Sequence, residues 1–171
     1  MAGVRTLADK NIKITMLTTI PATLKAIPLA TLTSGTDVSC LLAASGTRFS
    51  AAASESIADP AVCEGANTQV FGASNFEASA APFWLLDATT GKYAAADNPV
   101  YEANRQKGSR VVFVLREGPK HDVAWAATDH YEAYEVITDN PQRPTEQAGY
   151  VKRVIPLAVQ NAELHGAVGG A

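Results

Sequence analysis

The run Arg110-Val111-Val112-Phe113-Val114-Leu115 puts apolar side chains on both faces of any strand it forms. Only a strand covered on both sides can carry such a run, so it predicts a central strand with the core beneath and a second layer above. The segment just before it supplies that layer. Asn98, Pro99 and Gly108 read as an N-cap, a first helical residue and a left-handed stop, which predicts a helix from about Pro99 to Lys107. Val100, Ala103 and Asn104 share one narrow face of that helix, which should lie on a sheet.

The remaining signals are mostly of strands. Ile12-Lys13-Ile14-Thr15-Met16 alternates apolar and polar residues. Pro21 and Pro28 interrupt the next stretch, Thr33 to Asp37 reads as a turn, and Val38 to Leu42 as a second strand. Phe76 to Asp87 reads as a long strand in which Pro82 requires a bulge or an edge. After the turns at Thr90-Gly91-Lys92 and Glu117-Gly118-Pro119-Lys120 come Val123 to Trp125 and Tyr131 to Ile137, both rich in strand formers. Pro141 and Pro144 bracket a loop, and Tyr150 to Val159 reads as the last strand. Six or seven strands with one helix predict a mainly antiparallel β-sandwich or barrel flanked by that helix, not a βαβ repeat. A length of 171 residues fits one domain spanning 1–171, with a flexible C-terminal tail at about 162–171.

Between about Ala43 and Asn75 the strand signal fades into Ala, Ser, Gly, Thr and Asn. Connections beyond about 12–15 residues without structure are uncommon in compact domains. This one is low in charge, unlike a solvated linker, and it holds Phe49 and Phe71 within short strand hints at Thr47-Arg48-Phe49 and Gln69-Val70-Phe71. A mobile surface loop, a segment folded back on its own subunit and an arm docked on a neighbour are the three readings. We expect the docked arm, with Arg48, Phe49, Val70, Phe71 and Asn75 as its interface residues.

Chemistry leaves little trace. There is no HExxH, phosphate loop, GxSxG or dinucleotide fingerprint. His121-Asp122 and Asp129-His130 could sketch a metal site or a base with its orienting acid, but they read more simply as solvated turns. No enzyme activity, cofactor or metal is expected. A net charge of −3 with scattered Lys and Arg argues against stable nucleic-acid binding, while leaving room for a wall that DNA slides past. No apolar stretch approaches the ~20 residues that cross a bilayer, so no membrane partner is expected. No apolar signal core comes after Arg5, Asp9 and Lys10, so folding is expected in the cytoplasm of the producing cell. Cys40 and Cys63 read as idle thiols, with a disulfide formed after lysis as the alternative.

Several stretches carry a resemblance along nearly the whole chain. They are Leu7 to Lys13, Gly35 to Cys40, Asp59 to Glu64, Gly72 to Glu77, Val136 to Gln142, Gly149 to Lys152 and Ile155 to Val159. In order and spacing the sequence resembles the major tail tube proteins of long-tailed phages, particularly those infecting actinobacteria. That resemblance implies a virion protein whose copies form hexameric rings, stacked into a tube that conducts DNA without holding it. It implies as partners the chain itself, the tape measure, the terminator and the distal tail protein. It also implies subunit contacts through a long loop, in the place Ala43 to Asn75 occupies. A tail terminator or head–tail joining protein of similar fold is the alternative, and a small-ligand-binding β-barrel a more distant one.

Overall fold

The structure, a computed structural model, describes residues 5, 7–57, 62–63, 70–146 and 148–169. In chain order the elements are β1 (Ile12–Leu17), α1 (Leu29–Ser34), β2 (Thr36–Asp37), β3 (Arg48–Ala52), β4 (Ser56–Ile57), β5 (Val70–Phe71) and β6 (Asn75–Ala80). A 3₁₀ turn (Ala95–Asp97), α2 (Pro99–Asn104), β7 (Arg110–Glu117), β8 (His130–Thr138) and β9 (Ile155–Ala167) complete the order. Among the described residues, seven strands form one antiparallel sheet in the order β2-β1-β7-β8-β9-β6-β3, and β4 and β5 pair with each other as a separate ribbon.

Strand β7 lies inside the sheet between β1 and β8, as its two apolar faces require. Val111 and Phe113 enter one core cluster, while Val112 and Val114 enter another on the opposite face. The first cluster lies inside a coil of the sheet. Phe49 of β3, at the far edge, reaches Phe113 and Tyr134 with ring centroids 4.9 and 5.7 Å away. The edge strand therefore folds over the middle of its own sheet, and the β-sandwich closes on itself. Val100 of α2 joins this inner cluster.

The outer face is covered by a layer that propensity does not announce. Leu24, Ile27 and Leu32, from the Pro-punctuated stretch and α1, pack on Val112, Val114 and Ala133. Tyr131 binds this cover: the Ile27 N–H donates to its hydroxyl (2.7 Å), which donates to the Leu24 carbonyl (2.8 Å). Trp125 packs in the same cluster and donates to Thr15 Oγ1 (3.0 Å). Val123 to Trp125 is thus an irregular connection instead of a strand. Buried Arg116 holds it by donating to the Lys120, Val123 and Ala124 carbonyls and to Asp129 (2.7 Å). Local hydrogen bonds to a charged donor outweigh strand propensity there.

Other expectations shift similarly. Val38 is fully buried, but its N–H bonds the Ile14 carbonyl and the chain then turns, so Val38 to Leu42 is no strand. β6 ends at Ala80, before Pro82. The helix stops at Asn104 rather than Lys107, while Gly108 takes the left-handed φ of +91°. Asn98 does not cap the helix with its side chain. Its amide accepts from the Leu85 N–H and donates to the Leu85 and Ala94 carbonyls.

The last strand begins at Ile155, not Tyr150, and runs to Ala167. The predicted flexible tail from 162 is therefore corrected. Residues 162–167 pair with β8, and the Ala167, Val168 and Gly169 N–H groups bond the Lys25, Asp129 and Ile27 carbonyls. Gly166 has a packing reason: a Cβ there would lie 2.3 Å from the Tyr131 ring. Residues 170–171 lie outside the described set.

Candidate assembly surface

The stretch from Ala43 to Asn75 divides in two. Its first part becomes β3, paired with β6 from Arg48↔Ser79 to Ala52↔Asn75. This corrects the expectation for Phe49. It is half-buried on Phe113 and Tyr134, because β3 supplies the lid of the inner core and an aromatic there is worth more inside than out. Arg48, on the outward face, pairs with Glu77 (3.0 Å) where both side chains are well exposed, an interaction worth little by itself.

The second part leaves the sheet. β4 and β5 pair as Ser56↔Phe71 and Ile57↔Val70. The Gly72 N–H donates to the Glu55 carbonyl (2.8 Å) at their base, and Asn75 Nδ2 reaches the Ala53 carbonyl (3.2 Å). Asn75 thus ties the arm to the sheet and itself stays exposed. Beyond that base the side chains face water: Ile57 is 58% exposed, Val70 68% and Phe71 79%. Val62 and Cys63 are exposed as well. Most of Asp59 to Glu64 lies outside the described residues. A lone two-stranded ribbon is marginal in water, and strands of two residues are weaker still. Apolar side chains of this size gain roughly 1.5–3 kcal/mol each when covered.

A second apolar surface escapes sequence reasoning. Phe83, Trp84, Leu85, Leu86, Tyr150 and Val151 line a recess of about 460 Å³. Tyr150 is 83% exposed, Val151 57% and Leu86 49%. Trp84 is held rigidly, stacked on Tyr93 (4.3 Å), edge-on to Tyr101 (4.9 Å) and under the Arg153 guanidinium (4.3 Å). Burial, and then a hydrogen bond to Glu102 (2.7 Å), push the Tyr93 hydroxyl well above its ordinary range, so it stays neutral. Phe83 to Leu86 reads as strand core by composition. The usable signal is Pro82 with a run of apolar residues after it that does not alternate, which no two-faced strand needs.

A larger cleft of about 780 Å³ opens between β1 and β3, lined by Ile12, Ile14, Leu42, Phe49 and Leu115. Lys13, between Ile12 and Ile14 in β1, donates to Asp37 (2.7 Å) and the His121 carbonyl (2.7 Å). Partial burial works to raise the Asp37 carboxyl, but hydrogen bonds from Lys13 and Ser39 bring it below its ordinary value. Cys40 and Cys63 are free thiols. Among the described residues, no three His, Cys, Asp or Glu side chains gather as a metal site. No helix among them is long and apolar enough to cross a membrane.

The geometry is one of surfaces, and comparisons with known proteins agree. A family model described as "Phage tail tube protein" matches residues 1–171. A chain from the cryo-EM structure of the anti-feeding prophage baseplate, 6-fold symmetrised, has a similar fold. The TM-score is 0.56 at 10% identity, over 97% of this chain and 98% of that one. No match was found among curated proteins.

Proposed function

The chain belongs to the phage tail tube protein family, structural and non-enzymatic parts of the virion tail, and from that premise we propose that its copies close into hexameric rings stacked as a tube. The tube conducts DNA from capsid to host. The observation that carries this reading is the β4–β5 ribbon, a projection outside the main sheet whose Ile57, Val70 and Phe71 are largely exposed. Such an element is stabilised by a neighbour, and a heterologous contact repeated from copy to copy builds an extended structure. The six-fold symmetry of the baseplate assembly that contains a similar fold supports the ring number. Arg48, Val70, Phe71 and Asn75, all exposed, are the interface residues of this reading. Assembly takes place in the host cytoplasm and is completed by the tape measure, terminator and distal tail proteins.

DNA must pass without adhering. A net charge of −3 per subunit favours a wall that repels phosphates and retains no DNA at physiological salt. Size-exclusion chromatography and then negative-stain microscopy test the reading. Stacked rings are expected, with each subunit burying more than about 2,000 Å². Single rings that never stack would indicate a terminator, and a strict monomer at high concentration would overturn assembly altogether.

A further inference from the structure

We propose that the recess formed by Phe83, Trp84, Leu86, Tyr150 and Val151 is the receptor for the β4–β5 ribbon of the next copy of this chain. The proposal rests on the tube-building reading above and names the surface that reading leaves open. The two surfaces have complementary needs. The ribbon offers Ile57, Val70 and Phe71, each more than half exposed. The recess offers exposed Leu86, Tyr150 and Val151 around a tryptophan already fixed by three neighbours. A pre-ordered aromatic floor lowers the entropy lost on docking, which suits the central contact of an interface.

Charge selects the same pairing. From residue 53 to 74 the sequence carries Glu55, Asp59 and Glu64 and no Lys or Arg. From 141 to 153, beside the recess, it carries Arg143, Lys152 and Arg153 against Glu146 alone. An acidic apolar ribbon meeting a basic-rimmed apolar recess is attracted, whereas ribbon on ribbon or recess on recess is repelled. Because ribbon and recess are different surfaces, every copy donates one and receives one. The contact is head-to-tail and propagates.

Disulfide trapping tests this directly. In a Cys40→Ser/Cys63→Ser background, Phe71→Cys and Tyr150→Cys are introduced together; both side chains are largely exposed, so the subunit core is untouched. Mild oxidation of the assembled protein should give a ladder of dimers, trimers and higher species on a non-reducing gel. Assemblies that form without a ladder would overturn the proposal while leaving the tube reading intact. So would dimers from Tyr150→Cys alone, which mean recess on recess. A native chain that never assembles would defeat the tube reading itself. Should the double-cysteine chain fold but not assemble, charge reversal decides. Arg143→Glu with Lys152→Glu should raise the concentration needed for assembly at least about tenfold, and adding Glu55→Lys should recover a measurable part of that loss. Failure of that rescue in folded protein overturns the proposal.

Discussion

Tyr131 joins three parts of the chain: its hydroxyl holds Leu24 and Ile27, and its ring lies over Gly166 of β9. Because the hydroxyl is bonded twice, the ring cannot swing away from a side chain placed beneath it. Gly166→Ala should therefore destabilise the subunit by about 1–3 kcal/mol through overpacking, read from the midpoint of urea unfolding. No change would mean that the ring moves freely. Tyr134 is the other buried phenol of β8. Burial, and then its hydrogen bond to Glu132 (2.6 Å), hold its hydroxyl far above the ordinary value of about 10. A group whose folded pKa is raised contributes stability that is fully present below its unfolded pKa and lost as pH rises through the folded one. Unfolding free energy should thus decline above about pH 10, and Tyr134→Phe should make that decline shallower. An unchanged slope would remove Tyr134 as its source.

At the scale of elements, the 83–86 segment depends on α2 through a residue that resembles a helix cap. Buried Asn98 satisfies both backbone groups of Leu85 and the Ala94 carbonyl, and so fixes the chain on either side of Trp84. Asn98→Ala should cost about 1–3 kcal/mol, since it strands backbone groups in a part-buried place. It should also shift Trp84 fluorescence; loss of stability with an unmoved emission would point to the helix alone. Elements whose pattern is intrinsic are legible in the sequence: β1, β7 and β8 obey their alternation or their two-faced apolar runs. The outer cover is not. Leu24, Ile27 and Leu32 lie among Pro and Thr at no regular period, and only Tyr131, distant in sequence, shows what they cover. Gln160 to His165 escapes notice as strand because a polar strand end carries no hydrophobic period. Val70 and Phe71 are legible as apolar residues in a segment without core periodicity. Phe49 looks alike in sequence but belongs to the core, because its partners Phe113 and Tyr134 come from strands far along the chain.

For the whole molecule, the sheet uses nearly all its apolar faces internally, in two clusters on opposite sides of β7. Among the described residues, the ribbon at one place and the Phe83–Leu86 recess at another still expose large apolar side chains, and these are the two surfaces we propose that other copies cover. The most direct test replaces residues 53–74 with a short Gly-Ser link and compares sedimentation velocity with the native chain, with circular dichroism on both. The native chain should sediment as long assemblies, and the variant should keep its β spectrum but no longer stack. A variant that stacks like the native chain would contradict this, and so would one that unfolds, because the ribbon would then belong to the subunit and not to the tube.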